Sequence, residues 1–115
     1  MGTSASRGSR LAQDARALLW EHLDAPLTIA DLSAALGASQ RTLHAAFRDH
    51  LGTTPKAYLK ALRLNAARQD LIRAEKGTRV TDVALRWGFL HFGWFSFDYH
   101  RHFGETPSVT LRRAP

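Results

Sequence analysis

The chain has 115 residues, a length that suits one domain or two very small ones sharing a core. Lys and Arg number 16 against 10 Asp and Glu, which gives a net charge of +6 and a pI of about 10.8. This balance is typical of proteins that bind polyanions. The absence of Cys excludes disulfide scaffolds, thiol catalysis and Cys-containing zinc sites.

The cations are mostly Arg and are unevenly spread. Thirteen of the 16 are Arg, whose planar guanidinium suits phosphate groups and guanine edges. Residues 58–115 hold ten cations and five anions, whereas residues 1–57 are almost balanced. The most apolar stretch, residues 88–97, is far shorter than the ~20 residues of a membrane-spanning helix. Because the N-terminus also lacks the apolar segment of a signal peptide, we expect a cytoplasmic protein with no membrane association.

Helix signals begin close to the N-terminus. Residues 1–10 have almost nothing apolar to bury, so we expect them to form a flexible tail. An apolar stripe with helical spacing begins at Leu11 and stops before Pro26. A short helix is predicted over residues 29–36 and a longer one over residues 40–51, because a hydroxyl N-cap precedes each and a glycine follows each.

A long fourth helix is predicted over residues 55–76, since proline suits its first position and Gly77 suits its C-terminal cap. Residues 94–99 alone show the alternation of a strand, and they fit a helical frame better. We therefore predict an all-α protein of about seven helices. Its predicted parts are a first subdomain at residues 11–54, the long linker helix, a second subdomain at residues 77–112 and a short tail at residues 113–115.

The chain also repeats itself. Residues 28–38 align with residues 79–89, and residues 43–55 align with residues 95–107. Glycines, prolines and large apolar residues recur at matching positions, including Gly37/Gly88, Phe47/Tyr99, Leu51/Phe103, Gly52/Gly104 and Pro55/Pro107. Each copy predicts a short helix, a turn with glycine and a longer helix ended by glycine. This is the pattern of a helix-turn-helix unit, whose longer helix lies in a DNA major groove.

The longer helix of the first copy is predicted to bury one face, which carries Leu43, Ala46, Phe47 and His50. The outer face then carries Gln40, Arg41, His44, Ala45 and Arg48. Arg41 suits O6 and N7 of guanine, while Gln40 or His44 suits an adjacent purine and Ala45 a thymine methyl group. At the start of this helix, Ser39 and Thr42 offer hydroxyls to phosphate oxygens.

The longer helix of the second copy is aromatic. Its outward or sideways positions are His91, Phe92, Gly93, Trp94 and Phe97, with Arg101 further along. Polar contacts to bases are scarce, since His91 and Ser96 are the only uncharged donors. Asp98 would repel phosphate unless it accepts from a cation or a cytosine amine. Trp94 and Phe97 suit either sugars and thymine methyl groups or the surface of another protein, and the sequence leaves both alternatives open.

These motifs resemble the DNA-binding domain of the AraC/XylS family of bacterial transcription regulators. The similarity runs from Thr28 to Arg112 and includes LG-T-x-P-x-x-Y-L, RL-x-x-AR, and GF followed by FGE-x-P. It implies two helix-turn-helix subdomains joined by a long helix, with the third and sixth helices inserted into successive major-groove segments. It also implies base contacts from Gln40, Arg41, His44, Ala45, Phe92, Gly93, Trp94 and Phe97. Trp94 departs from the family pattern, which has a polar or basic residue there.

The resemblance leads to further expectations about partners. Double-stranded DNA is the expected ligand, and RNA polymerase is an expected protein partner of an activator. We expect backbone contacts from Thr28, Ser39, Thr42, Arg48, Thr54 and Arg101, and base contact from His91. Family members usually carry a sensor or dimerisation domain, so the chain is expected to be either an excised DNA-binding half or a small stand-alone regulator.

The sequence leaves two other functions open. The chain could be a protein-interaction module that uses its aromatic second unit, or a DNA-bending protein without sequence preference. An enzyme is not expected, because there is no phosphate-binding glycine loop and no independent nucleophile-base pattern. No cofactor or metal is expected either, since the six His residues lack the spacing of a ligand set.

Overall fold

A computed structural model describes residues 6–115, which form seven α-helices and no strand. The all-α prediction is therefore confirmed. No helix of the described part is both long and apolar enough to cross a membrane. In chain order the helices are α1 (Arg7–Glu21), α2 (Ile29–Leu36), α3 (Gln40–Leu51), α4 (Pro55–Ile72), α5 (Val80–Arg86), α6 (Phe92–Phe103) and α7 (Pro107–Arg112).

The first helix starts earlier than the sequence suggested. Ser6 is its N-cap, and the Ser6 hydroxyl accepts a hydrogen bond of 3.1 Å from the backbone N–H of Ser9. Such a bond satisfies one of the free N–H groups of a first turn, so a polar segment can begin a helix. Residues 7–10 are thus helical, which corrects their assignment to a flexible tail, and residues 1–5 lie outside the described residues.

The long fourth helix ends earlier than predicted, at Ile72 rather than next to Gly77. Leu71 is its last buried residue, and the side chains from Arg73 to Lys76 are mostly exposed. Without an apolar face to bury, this segment gains little from remaining helical. Residues 73–79 therefore form a loop in which Gly77 adopts a φ of +93°, a conformation that favours glycine.

The chain divides into two compact units inside α4, the first ending at Lys60 and the second starting at Ala61. The first unit buries Leu19, Leu32, Leu43 and Phe47, and α1 packs mainly against α3. The core of the second unit consists of Leu64, Ala67, Leu71, Val83, Ala84, Phe95 and Tyr99. The second half of α4 is therefore part of the second core as well as a connection between the units.

The predicted repeat is present in the structure. Both α3 and α6 have 12 residues, and each ends at a glycine with positive φ, Gly52 at +68° and Gly104 at +77°. The paired residues Phe47 and Tyr99 are both fully buried. Equivalent residues thus occupy equivalent structural positions in the two units.

The repeat is longer than the sequence alignment indicated, because it includes α1 and the second half of α4. The pairs Phe47/Tyr99 and Gly52/Gly104 are 52 residues apart. At this 52-residue offset, buried residues of α1 match buried residues of α4, namely Ala12/Leu64, Ala15/Ala67 and Leu19/Leu71. Arg16 likewise matches Arg68. The segment predicted as a linker helix therefore supplies the first helix of the second unit.

A tyrosine hydroxyl forms a hydrogen bond at the aromatic core of each unit, but the tyrosine occupies a different position in the two units. In the first unit, the rings of Phe47 and Tyr58 form a T-shaped pair with centroids 5.7 Å apart, and Arg16 Nε donates to the Tyr58 hydroxyl at 2.9 Å. In the second unit the buried aromatic residue is itself a tyrosine, and the Tyr99 hydroxyl donates to Thr110 Oγ1 at 2.7 Å. Burial raises the pKa of Tyr99, so its hydroxyl stays protonated as this donor.

Glu105 extends this hydrogen-bond network to the surface of the second unit. The Thr110 hydroxyl donates to Glu105 Oε2, and Arg113 Nη1 donates to Glu105 Oε1 at 2.7 Å. Arg68 Nη1 lies 3.8 Å from Glu105 Oε2, and its guanidinium carbon lies 4.8 Å from the centroid of the Phe103 ring. The Thr110 hydroxyl foremost, and then the positive charges of Arg113 and Arg68, lower the pKa of the Glu105 carboxyl.

A carboxyl whose pKa is lower in the folded state stabilises the protein above its unfolded-state pKa, and this contribution is lost as the pH falls through the folded-state value. Glu105→Gln should therefore reduce the free energy of unfolding near neutral pH, and its difference from the wild type should shrink as the pH falls from about 5 through the lowered folded-state pKa. Urea denaturation across this range measures both quantities. Glu75→Gln, at an exposed carboxylate in the loop after α4, is the matched control. A difference that does not change with pH would contradict the role assigned to Glu105.

Candidate nucleic-acid interface

The outward face of α3 is determined by what the helix buries. Leu43, Ala46 and Phe47 are buried, as predicted. His50 was predicted to face inward, but it is exposed and lies in the last turn of α3, next to α1. There its ring lies so close to Gly8 that a Cβ atom at position 8 would be 3.0 Å from His50 Nε2. The exposed side chains of α3 include Gln40, Arg41, Thr42, His44 and Arg48, whereas Ala45 is half-buried.

The first turn of α3 carries a polar cap suited to phosphate. Ser39 Oγ accepts from the backbone N–H of Thr42 at 3.1 Å and donates to Thr42 Oγ1 at 2.9 Å. The Ser39 hydroxyl thus uses its proton inside the protein, whereas Thr42 keeps its own hydroxyl proton to donate. Since the N-terminal end of a helix is also its positive end, Thr42 is the better placed of the two for a phosphate oxygen.

Two further threonines cap the neighbouring helices of the first unit. Thr54 Oγ1 accepts from the backbone N–H of Ala57 at 3.0 Å. Thr28 forms a capping box with Asp31, in which Thr28 Oγ1 accepts from the Asp31 N–H and Asp31 Oδ2 accepts from the Thr28 N–H. The hydrogen bond from the Thr28 backbone N–H foremost, and then one from the Thr28 side chain, lower the pKa of the Asp31 carboxyl, so a carboxylate stays charged beside Thr28. Thr54 therefore suits a phosphate better than Thr28 does.

The two arginines predicted to contact the DNA backbone have different surroundings. Arg48 Nε lies 3.3 Å from Asp49 Oδ1, and both side chains are largely exposed, so the pair is weak. The Arg101 guanidinium carbon lies 5.7 Å from the centroid of the Phe97 ring, within the range of a cation–π contact. Both guanidinium groups remain accessible at the surface.

The sixth helix buries one aromatic face and exposes another. Phe95 and Tyr99 are fully buried, with ring centroids 5.7 Å apart, and Phe103 lies 4.6 Å beyond Tyr99. On the other side, Trp94 and Phe97 are 64% and 54% exposed. Phe92, in the first turn, is 44% exposed, and its ring centroid lies 6.4 Å from that of Phe95. His91 and Gly93 are exposed as well. The structure thus places all five predicted base-contacting residues of the second unit at the surface.

His91 has a structural role that the sequence analysis missed. It is the N-cap of α6, and its Nδ1 atom accepts a hydrogen bond of 3.2 Å from the backbone N–H of Trp94. Gly93 leaves room for this ring, because a Cβ atom there would lie 3.3 Å from His91 Cε1. The repeat contained the signal, since the 52-residue offset pairs His91 with the N-cap Ser39 of α3.

Polar contacts between residues distant in sequence join α4 and α5 in the second unit. Asp70 Oδ2 accepts from Arg86 Nη1 at 2.7 Å and from Trp87 Nε1 at 2.8 Å, which joins α4 to the C-terminal end of α5. Arg68, from the RL-x-x-AR motif, contacts Phe103 and Glu105 as described above. Nothing local in the sequence marks Asp70, because its partners lie 16 and 17 residues away.

Within residues 6–115, no three His, Asp or Glu side chains come together as a metal site. The geometry is instead that of two helix-turn-helix units, each with a 12-residue helix whose outer face is exposed, in a strongly basic chain. These features define a double helix-turn-helix DNA-binding domain.

Comparison with known proteins identifies the family. The model of the family described as "Helix-turn-helix domain" matches residues 32–113. The structure of this chain superimposes on the crystal structure of "a probable AraC family transcriptional regulator" from Rhodopseudomonas palustris CGA009 with a TM-score of 0.86. The two share 36% sequence identity, and the match covers 93% of this chain and 100% of that one. The chain belongs to the AraC/XylS family of transcription regulators, as a DNA-binding domain and not an enzyme.

Two curated relatives show how much of a regulator this chain represents. The chain is 45% identical over 107 residues to the "Probable thc operon regulatory protein" of Rhodococcus erythropolis, which covers 92% of this chain and 31% of that protein. It is 38% identical over 95 residues to the "XylDLEGF operon transcriptional activator" of Pseudomonas putida, covering 82% and 30%. The chain thus spans about a third of the length of these relatives.

The N-cap geometry predicts unequal effects of two substitutions at His91. His91→Ala removes the acceptor for the Trp94 N–H and should destabilise the protein by about 1 kcal/mol, whereas His91→Asn supplies another N-capping acceptor and should cost less. Chemical denaturation gives the free energies of unfolding, and hydrogen exchange of the Trp94 amide localises the change to α6. Equal losses for the two variants would show that the cap contributes nothing.

Proposed function

We propose that this chain is the sequence-specific DNA-binding domain of a bacterial transcription regulator, with α3 and α6 as recognition helices in successive major-groove segments. The observation that carries the proposal is the outer face of α3, where Gln40, Arg41 and His44 are exposed while the opposite face is anchored by Leu43 and Phe47. A helix held in this way presents the same side chains at every encounter with DNA, which sequence-specific contacts require.

The α3 side chains offer a specific set of base contacts. Arg41 can donate two hydrogen bonds to O6 and N7 of one guanine. Gln40 or His44 can contact a neighbouring purine, and Ala45 can touch a thymine methyl group. In the second unit we assign base contacts to His91, Phe92, Gly93, Trp94 and Phe97.

Backbone contacts are assigned to the caps and arginines around these faces. Thr42 and Thr54 combine a free hydroxyl proton with a helix N-terminus, and Ser39 supports Thr42. Arg48 and Arg101 add positive charge near the end of each recognition helix. Thr28 is the weakest member of the set, since the Asp31 carboxylate lies beside it.

The whole regulator extends beyond these contacts. The name of the Pseudomonas putida relative describes an operon activator, which supports an activator that touches RNA polymerase after binding its site in the cytoplasm. The length of the relatives supports a separate sensor or dimerisation domain in the complete regulator. These assignments concern the full-length protein.

A second candidate function is a protein-interaction module that uses the second unit. The specific observation in its favour is the exposure of Phe92, Trp94 and Phe97 on one helix. Under this alternative, Trp94→Ala would leave DNA affinity intact and abolish a complex with a partner protein.

The decisive experiment is the selection of bound duplexes from a random pool at ~150 mM salt, where long-range attraction between exposed charges is screened. Sequence-specific recognition predicts an enriched asymmetric motif with two blocks about one helical turn apart. An absence of any motif, with binding that disappears as salt rises, would favour the DNA-bending alternative and refute the proposal.

Arg41→Ala should weaken binding to the selected duplex by about 1–3 kcal/mol and relax the preference at one base pair, because it removes a bidentate contact to guanine. Arg48→Ala, on the same helix, should instead weaken selected and random duplexes alike and reduce the salt dependence by about one phosphate contact. Fluorescence anisotropy titrations at several salt concentrations measure both effects. If Arg41→Ala also weakens both duplexes equally, Arg41 contacts the backbone.

A further inference from the structure

The two recognition helices differ most at their exposed positions. With the 52-residue offset, Gln40 of α3 corresponds to Phe92 of α6, Arg41 to Gly93, Thr42 to Trp94 and Ala45 to Phe97. The second helix thus has aromatic rings, or no side chain, where the first has an amide, a guanidinium and a hydroxyl. The same scaffold presents an apolar surface in place of a polar one.

Hydrogen-bond donors on the outer face of α6 are few. The His91 ring accepts the capping hydrogen bond at Nδ1, so it has one N–H, at Nε2, left to donate, and Ser96 is half-buried. The Trp94 indole N–H is the single donor that the three exposed aromatic side chains carry between them. A base contact based on several hydrogen bonds, of the kind available to Arg41, has no counterpart here.

The apolar surface of α6 is formed by two neighbouring rings. Trp94 and Phe97 lie three residues apart, so they are neighbours on one face of the helix. Gly93 lies one turn before Phe97 and adds no side chain, which lets another molecule approach the backbone closely. The exposed fractions of Trp94 and Phe97, 64% and 54%, leave most of both rings available.

The charges around this surface match a polyanion. The last turn of α6 contains His100, Arg101 and His102, and the Arg101 guanidinium lies beside the Phe97 ring. The single acidic residue of α6, Asp98, is half-buried. An apolar surface bordered by the Arg101 guanidinium suits the major groove, whose floor displays one apolar group, the C5-methyl of thymine, between two rows of phosphates.

We propose that α6 recognises thymine C5-methyl groups through Trp94 and Phe97, so that the half-site of the second unit is selected for thymine methyl groups rather than for hydrogen-bonding edges. This inference rests on the proposed function, because it requires α6 to lie in a major groove. Arg101, held beside Phe97, then contacts the phosphate next to the recognised thymine.

Replacement of thymine by deoxyuridine tests the proposal, because it removes the methyl group and leaves every hydrogen-bonding atom in place. The two half-sites of the selected duplex are first identified with Arg41→Ala, because this variant should relax the base preference in the α3 half-site only. The remaining half-site is then assigned to α6. Each thymine of the other half-site is then replaced in turn. Loss of a buried methyl contact should weaken wild-type binding about fourfold per methyl group.

Variants of the protein show whether the loss of affinity caused by deoxyuridine (the deoxyuridine penalty) depends on the rings of Trp94 and Phe97. In Trp94→Ala or Phe97→Ala, deoxyuridine at the contacted position should cost nothing further, because the methyl group has already lost its partner. Leu85→Ala is the matched control, since Leu85 is 56% exposed and lies on α5. This variant should keep the full penalty. Circular dichroism confirms that the variants remain helical.

The outcomes separate this inference from the proposed function. A selected motif whose α6 half-site tolerates deoxyuridine at every thymine would overturn the methyl contact and leave the proposed function standing. A penalty that persists unchanged in both Trp94→Ala and Phe97→Ala would overturn the assignment to these rings. A third outcome concerns Trp94→Ala. If this variant loses a protein partner but keeps its DNA affinity and its deoxyuridine penalty, the aromatic face binds protein. Failure to select any motif counts against the proposed function itself.

Discussion

Burial of one side of α3 and one side of α6 is the constraint on which the rest of the structure depends. Phe47 and Tyr99 are fully covered in their respective units, and each such ring contributes on the order of 1.5–3 kcal/mol relative to an exposed one. A helix anchored by a large buried ring cannot rotate about its axis without exposing it. The choice of buried face therefore fixes which side chains reach solvent, and with it what each helix can recognise.

The duplication shows how one scaffold accommodates different chemistry. The core of each unit keeps its buried positions, from the helix that opens the unit to the helix that ends at Gly52 or Gly104. The hydrogen bond at the edge of the core differs between the units. The Tyr58 hydroxyl accepts from Arg16 in the first unit, and the Tyr99 hydroxyl donates to Thr110 in the second. Each arrangement satisfies its hydroxyl, and both leave the outer face of the recognition helix free to differ.

That freedom has a consequence for recognition. In the first unit, the proposed specificity comes from hydrogen-bond donors on α3, which suit particular base edges. In the second unit, the exposed rings of Trp94 and Phe97 favour apolar contact, and Arg101 lies beside Phe97. Under this proposal, the domain combines a directional contact in one half-site with a less directional one in the other, and its two halves are expected to respond differently to base substitutions.

The sequence by itself determined the all-α class, the helix-turn-helix repeat and the outward face of α3, because helical periodicity, hydroxyl N-caps and glycine C-caps are local signals that act within a few residues. Tertiary structure decided the rest. The end of α4 at Ile72 and the membership of its second half in the second core depend on which side chains find a partner to pack against. The role of Asp70 as the acceptor for Arg86 and Trp87 depends on side-chain placement that no local pattern encodes. Contacts between residues distant in sequence form only once the chain is folded, which is why they were invisible in the sequence alone.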